Sequence, residues 1–180
     1  AWPLTSVIAY GDSLSDNGNL FALVGFPPAP YFDGRRSDGP VAVEYLADKL
    51  GVPLLDFAVL GATTGIGNIG DFGTATSAGA ISLPGMQPAF ASSLPFLAPH
   101  LAQGLFVVWG GPNDFLSPSP LDGGDPLATA TRAAGNLLGM VSTLQGLGAK
   151  NILVPGMPDL GLTPYFQGLG GPAAAQASAL

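Results

Sequence analysis

The residues best suited to chemistry lie in three short polar motifs, each of which follows an apolar run of the 180-residue chain. The first motif, residues 11–19, reads Gly-Asp-Ser-Leu-Ser-Asp-Asn-Gly-Asn. A turn of this composition exposes the Ser13 hydroxyl and directs backbone N–H groups outward. The second motif reads Phe-Ala-Val-Leu-Gly-Ala-Thr over residues 57–63, and the third reads Gly-Gly-Pro-Asn-Asp-Phe over residues 110–115. The three motifs are therefore candidates for one shared site.

Four short apolar segments must position these motifs, and their composition is typical of strands buried on both faces of a parallel sheet. They are Ser6–Tyr10, Leu54–Phe57, Leu105–Trp109 and Asn151–Val154. Longer helical or loop segments alternate with them, which predicts a three-layer α/β/α domain with a parallel, flavodoxin-like sheet. Ligands of such sheets bind outside the carboxyl ends of the strands, where the three motifs lie.

Two long helices are predicted between the strands. One runs from Val41 to Leu50, with Pro40 at its first position and Gly51 just past its end. The other opens at Asp125-Pro126 and ends at Gly146 and Gly148. Its apolar residues at helical spacing are Ala130, Ala134, Leu137, Leu138, Val141 and Leu144. Prolines across residues 58–104 predict long loops and broken helix there.

The motifs resemble those of the GDSL, or SGNH, hydrolase family. The resemblance runs from Val7 to about Leu162 and is nearest to the plant-type subgroup, which also occurs in bacteria and fungi. It implies that Ser13 is the nucleophile of a serine esterase or lipase. It also implies that the N–H groups of Ser13 and Gly61 and the side-chain amide of Asn113 hold the oxyanion. Two further segments look like family sequence, residues 34–40 (Gly-Arg-Arg-Ser-Asp-Gly-Pro) and residues 154–158 (Val-Pro-Gly-Met-Pro).

The chain departs from the family pattern in its base. The family carries its catalytic His and orienting Asp in an Asp-x-x-His motif near the C-terminus, and this sequence has no such motif. Its one histidine, His100, precedes the third polar motif, so we expect it to be a surface or packing residue. We therefore expect residues 1–180 to form a single SGNH domain that lacks its C-terminal part. A second chain from the same precursor is expected to supply a fifth strand and the Asp-x-x-His.

Composition excludes several other classes of protein. The net charge is −7 and only five residues are Lys or Arg, so the basic stripe that nucleic acid requires is missing. There is no cysteine, and no stretch is long and apolar enough for a membrane span. No pattern implies a cofactor or a metal. The start Ala1-Trp2-Pro3, without an initiator Met, suits a mature chain after signal removal, so we expect a secreted or extracytoplasmic protein.

Three functions remain open for such a chain. The first is a carboxylic ester hydrolase that acts on a small-molecule ester through an acyl intermediate on Ser13. The second is a phospholipase-like acylhydrolase, and the third is a catalytically inactive binding module with the same fold. Apolar neighbours of the motifs, Leu14, Phe21, Phe115 and Leu116, favour uncharged acyl esters over phosphate esters. Without the neighbouring motifs, Ser13 and Asn113 would be interpreted only as turn and capping residues.

Overall fold

Strand β1 (Ser6–Gly11) forms the centre of the molecule, and all six of its residues are buried. The computed structural model describes residues 3–179, so the predicted start of the mature chain at Ala1 and Trp2 lies outside the described residues, as does Leu180. Three more strands join β1, namely β2 (Leu54–Asp56), β3 (Gly104–Trp109) and β4 (Asn151–Leu153). All four predicted strands are confirmed, although Phe57 and Val154 lie just beyond the ends of β2 and β4.

The strands form one parallel sheet in the order β2-β1-β3-β4. The chain therefore moves from β1 outward to β2 and then crosses back to place β3 on the other side of β1. Gly11 is in register with Trp109, so β1 and β3 end side by side. The crevice beyond this pair is the switch point at which open parallel sheets bind their ligands.

Alternate residues of β1 point to opposite faces of the sheet and enter two separate cores. Ile8 and Tyr10 pack with Phe106 and Val108 of β3 in the larger core. Val7 and Ala9 pack with Val107 in the smaller one. Helices lie on both faces, so the predicted α/β/α architecture is confirmed.

Within the described residues, seven α-helices connect and cover the strands. They are α1 (Asn19–Val24), α2 (Ala42–Leu50), α3 (Met86–Ser93), α4 (Pro112–Leu116), α5 (Pro126–Leu147), α6 (Pro164–Gly168) and α7 (Gly171–Ser178). Helices α3 and α5 contribute to the larger core and α2 to the smaller. In residues 3–179 no helix is both long enough and apolar enough to cross a membrane.

The long helices confirm most of the predicted boundaries and correct some details. Pro40 is not the first helical residue, because Val41 is the N-cap of α2 and donates its N–H to the Glu44 carboxylate. Asp125 caps α5 as predicted and accepts the N–H of Leu127 at 2.9 Å. Gly148 alone ends that helix, in the left-handed conformation, whereas Gly146 lies inside it.

The apolar residues at helical spacing in α5 coincide only in part with the residues that this helix buries. The residues that α5 buries are Thr129, Ala133, Met140 and Leu144. Among the apolar residues at helical spacing, Leu144 is fully buried and Leu137 packs against the larger core, whereas Leu138 is 64% exposed. Apolar and small residues occupy most of the circumference of α5, so their spacing does not show which side of the helix faces the core. Polar contacts determine that side, because Asp122 accepts hydrogen bonds from Thr129 and Arg132 on the first turns.

Candidate active site

Ser13 lies in the turn that follows β1 at the switch point, and it is half-buried. The turn is closed by its own backbone, since the Asp12 carbonyl accepts the N–H groups of Ser15 and Asp16 at 3.0 and 2.9 Å. The Asp12 side chain accepts the N–H of Leu14 at 3.0 Å. Gly11 lets the two strands approach here, because a Cβ at that position would lie 2.4 Å from the Trp109 carbonyl oxygen. The Ser13 hydroxyl is thus held on a short, braced turn.

Asp16 joins this turn to the second polar motif. Its fully buried carboxylate accepts four backbone N–H groups. Those of Gly18, Asn19 and Leu20 open α1, at 2.7, 2.5 and 3.1 Å, and that of Leu60 lies at 2.6 Å. A carboxylate at the first turn of a helix also complements the helix dipole. Leu60 precedes Gly61, so one side chain fixes the Ser13 turn relative to the Gly61 loop.

Gly61 occupies a backbone position that a side chain would not tolerate. Its φ is +81°, and a Cβ would lie 2.4 Å from Oδ1 of Asn68. Asn68 is fully buried, donates to the carbonyls of Leu60 and Pro84 at 2.8 and 3.1 Å, and accepts the N–H of Gly70 at 2.8 Å. The conformation of Gly61 is therefore determined by Asn68 packed directly against it.

Asn113 begins α4 directly beyond β3 and is nearly fully buried. Its side-chain amide donates one hydrogen bond, 2.9 Å, to the carbonyl of Ala62, the residue after Gly61. Its other amide hydrogen has no acceptor among residues 3–179. The structure thus brings the three predicted site residues to one edge of the sheet. Asp16 connects the Ser13 turn to the Gly61 loop, and the bond to Ala62 connects that loop to Asn113.

Asp114, beside Asn113, connects the site to the helices behind it. Its carboxylate accepts both the N–H and the hydroxyl of Thr64, at 2.9 and 2.7 Å. The same Thr64 hydroxyl accepts the amide of Asn136 on α5 at 3.0 Å. Asn136 in turn accepts the amide of Gln87 on α3 at 3.2 Å. This network fixes the second and third motifs against α3 and α5.

Three buried carboxyl groups surround the site and resist ionisation. Burial raises the pKa of Asp12 to about 6, and the charge of Asp114 adds to the effect, against the hydrogen bond from Leu14. Burial also raises the pKa of Asp56 to about 8 and raises that of Asp114. The surroundings of Ser13 are therefore poorly solvated, which strengthens any electrostatic interaction formed there.

His100 lies at the opposite end of the sheet. Its Nδ1 forms a 2.8 Å hydrogen bond with the hydroxyl of Ser6, the first residue of β1. The strand rises about 3.3 Å per residue, so about 16 Å separates Ser6 from Gly11 along β1. The imidazole therefore cannot reach the Ser13 hydroxyl in this structure. This position agrees with its interpretation as a packing histidine.

Asn68 and the positioning role of Asp16 were not found from the sequence. A buried Asn within the Gly-rich segment 65–73 is a weak signal, because Asn is equally common in exposed turns. The carbonyls to which it donates lie eight and sixteen residues away and become neighbours only when the loop folds. Asp16 belongs to the first polar motif, but its bond to Leu60 spans 44 residues, so the sequence alone does not indicate this partner.

A cavity of about 300 Å³ lies beside α4, on the same edge of the sheet. Its wall includes Phe115 of α4, Pro126 of α5, Phe166 of α6 and Ala177 of α7. Phe115 follows Asn113 by two residues, so an apolar cavity begins next to the third motif.

The chain is similar to several curated proteins with lipase, esterase or acyltransferase names. A GDSL esterase/lipase of Arabidopsis thaliana is 29% identical and matches 89% of this chain and 51% of its own length. The thermolabile hemolysin of Vibrio parahaemolyticus is 33% identical over 91% of this chain and 36% of its own length. The phosphatidylcholine-sterol acyltransferase of Aeromonas hydrophila is 29% identical over 88% and 46%. The chain thus spans about a third to a half of these relatives.

A solved structure shares the fold. An active-site mutant of a family two carbohydrate esterase from Clostridium thermocellum superposes with a TM-score of 0.54 over 99% of this chain and 49% of that chain, at 14% identity. The sequence match to the family described as GDSL-like Lipase/Acylhydrolase extends over residues 7–179 and includes all three polar motifs. With that match and this fold, the chain belongs to the GDSL-like lipase/acylhydrolase family.

Proposed function

We propose that this chain carries the nucleophile and oxyanion donors of a carboxylic ester hydrolase, with Ser13 as the attacking residue. The observation that supports it most is the meeting of three loops at the switch point, each bearing one of Ser13, Gly61 and Asn113. In the reaction the Ser13 Oγ attacks the ester carbonyl carbon, its proton passes to a base, and the alcohol leaves. Water then releases the acid from the acyl-serine.

The oxyanion would be held by the N–H groups of Ser13 and Gly61 and by the amide of Asn113. Two features support this assignment. No acceptor within residues 3–179 occupies the N–H of Ser13 or Gly61. The Asn113 amide donates only one of its two hydrogens within the described residues, to the Ala62 carbonyl. Donors fixed before the reaction need no reorganisation when charge develops on the carbonyl oxygen.

The base would come from residues outside this chain. A serine hydroxyl needs an adjacent base to attack at neutral pH, and His100 is bonded to Ser6 at the far end of the sheet. We propose that the Asp-x-x-His segment, which the family resemblance implies, lies on a second chain from the same precursor and completes the domain. The domain of residues 1–180 would then be one part of a two-part enzyme.

The substrate would be an uncharged acyl ester. Leu14 and Leu116 beside the site are exposed, and Phe115 lines the apolar cavity next to α4. Each would favour an acyl chain over an anionic group. A panel of soluble nitrophenyl acyl esters, compared with nitrophenyl phosphate, would test this expectation, and preference for the phosphate ester would contradict it.

The decisive experiment concerns Ser13. A fluorophosphonate probe should label the active protein at Ser13, and Ser13→Ala should abolish both labelling and ester turnover while the far-UV circular dichroism stays unchanged. Ser117→Ala is the matched control, because Ser117 follows α4 and donates its hydroxyl to the Gly73 carbonyl. Full turnover in Ser13→Ala would overturn the proposal.

A denaturing gel and intact-mass measurement of the same active preparation would test the source of the base. We expect a second polypeptide that contains the Asp-x-x-His. If the 180-residue chain alone turns over esters at enzyme-like rates, the two-part arrangement is wrong. If a preparation that contains both parts turns over no ester, the chain is a binding module with the same fold.

A further inference from the structure

Six large apolar side chains lie exposed within twelve positions that directly follow the nucleophile turn. We call them the apolar platform, and they are Phe21, Leu23, Val24, Phe26, Tyr31 and Phe32. Each is 38–61% exposed. Single exposed apolar residues are common on protein surfaces, but a contiguous group of this size marks a binding surface.

The apolar platform is attached rigidly to the nucleophile turn. Asp16 accepts the N–H groups that open α1, the helix that carries Phe21. The following loop folds back onto this helix, because a Cβ on Gly34 would lie 2.6 Å from the Cβ of Phe21. A Cβ on Gly18 would lie 3.4 Å from the carbonyl oxygen of Asp33 in the same loop. The platform is therefore linked to the nucleophile turn through Asp16 and α1, and the loop of residues 33–34 packs against that helix.

Arg35 connects the outer part of the platform to helix α2. Its guanidinium forms an ion pair with Glu44 of α2 and donates to the Asp33 carbonyl at 2.8 Å. It also lies 5.4 Å from the ring centroid of Phe32. An exposed loop with this bracing keeps its aromatic residues in place before any ligand arrives, which lowers the entropic cost of binding.

Arg36 differs from Arg35 because it has no acidic partner in the part of the chain that the structure describes. Its exposed guanidinium lies 5.6 Å from the ring centroid of Phe26 and 5.1 Å from that of Tyr31. The platform thus presents one unpaired cation among aromatic and aliphatic side chains. Arg guanidinium binds phosphate oxygens well, and aromatic side chains favour the boundary between lipid headgroups and acyl chains.

We propose that the apolar platform docks this protein onto a neutral, zwitterionic phospholipid surface, with Arg36 at the lipid phosphate and the apolar side chains in the acyl boundary. Charge complementarity selects this occupant. A net charge of −7 repels an anionic surface, whereas a phosphocholine layer has no net charge and still offers a phosphate to Arg36. The proposal rests on the proposed function, since docking here would bring Ser13 to the acyl ester bonds of the same surface.

Sedimentation with vesicles of pure phosphatidylcholine tests the docking without any need for turnover. The double variant L23Q/V24Q should bind at least tenfold more weakly, because it removes two exposed apolar groups from a helix without touching either core. The matched control L127Q/L138Q changes two apolar residues of α5 that are more exposed, at 72% and 64% against 61% and 46% for Leu23 and Val24, and it should bind as the parent does. Arg36→Gln should weaken binding several-fold, and Arg36→Lys should restore part of it.

Several results would overturn the proposal. The first is that the parent does not bind phosphatidylcholine vesicles, and the second is that both double variants lose vesicle binding equally. The third is that the parent binds vesicles of anionic phosphatidylglycerol more strongly than vesicles of phosphatidylcholine. A shift from dimer to monomer in L23Q/V24Q, without vesicle binding by the parent, would make the platform a contact between copies of the chain. A raised KM of L23Q/V24Q for soluble esters, again without vesicle binding, would make it a substrate subsite.

Turnover of a soluble nitrophenyl ester, measured in parallel, separates this proposal from the proposed function. L23Q/V24Q should keep the parent's rate on the soluble ester. If the parent turns over the soluble ester but does not bind vesicles, the docking proposal is rejected and the proposed hydrolase function stands. Vesicle binding without any ester turnover rejects the hydrolase and leaves the lipid surface as the binding partner.

Discussion

Asn113 is the site residue whose two roles can be separated by experiment. Its amide braces the Ala62 carbonyl at 2.9 Å, and we propose that its other hydrogen holds the oxyanion. Asn113→Ala should lower kcat by about 100- to 1,000-fold, as expected for the loss of one oxyanion donor, and should change KM little.

Steady-state kinetics with a soluble ester would measure both constants for this variant. Asn136→Ala is the control, because Asn136 belongs to the network behind the site and contacts Thr64 without adjoining Ser13. An unchanged kcat in Asn113→Ala would reduce Asn113 to a loop brace.

Asn68 is the residue on which the Gly61 loop depends most. Asn68→Ala would remove the partner of the buried Leu60 carbonyl, of the partly buried Pro84 carbonyl and of the Gly70 N–H. An unsatisfied buried group costs about 1–3 kcal/mol, so we expect the free energy of unfolding to fall by about 2 kcal/mol.

Urea denaturation would measure that loss. Asn151→Ala is a matched control, because the Asn151 amide forms only a long 3.5 Å contact with the Gly104 carbonyl. Equal losses in the two variants would show that the Asn68 bonds contribute little.

At the scale of an element, helix α5 depends on its cap. The Asp125 carboxylate accepts the N–H of Leu127, one of the first-turn donors that has no partner inside the helix. Asp125→Ala should lower the free energy of unfolding by about 1 kcal/mol. Thermal or urea unfolding would show it, with Asp48→Ala on the exposed face of α2 expected to change little.

Local composition indicates where strands and helices occur in the chain, but it does not indicate which side of a helix faces the core. The residues of β1 and β3 are nearly all apolar and lie on both faces of the sheet, so a short apolar run identifies each strand. Helix α5 has no such sharp face, and the bonds of Thr129 and Arg132 to Asp122 choose which side turns inward. The apolar spacing therefore includes the buried Leu144 but lies one position away from the buried residues Thr129, Ala133 and Met140.

At the scale of the whole molecule, the buried carboxyl groups make stability depend on pH. Burial raises the pKa of Asp12 to about 6, so the native state binds this proton more tightly than the unfolded chain does. Its contribution to stability is complete below the unfolded value near 4 and is lost as the pH rises through about 6.

Asp12→Asn removes this titration and keeps an oxygen for the Leu14 N–H. The free energy of unfolding of the parent, minus that of Asp12→Asn, should therefore fall by roughly 2 kcal/mol between pH 4 and pH 7. Urea denaturation at a series of pH values would measure the difference. A difference that stays constant over this range would contradict the raised pKa of Asp12.

Local sequence is sufficient to predict the strands, the parallel α/β/α architecture, the family and the three motifs of the candidate site. Each of these is encoded in a short run of residues, because an apolar strand and the polar turn behind it are adjacent in the chain. The positions of the motifs relative to one another required only that parallel strands end at one edge of the sheet.

The contacts that hold the site together become visible only in the folded protein. Asp16 binds Leu60 across 44 residues, Asp114 binds Thr64 across 50, and Asn113 binds Ala62 across 51. The fold also places His100 at the far end of β1 and packs residues 33–34 against α1, which carries Phe21. A polar side chain has many possible partners of the same chemistry along a chain, and only the folded backbone brings one of them within hydrogen-bonding distance.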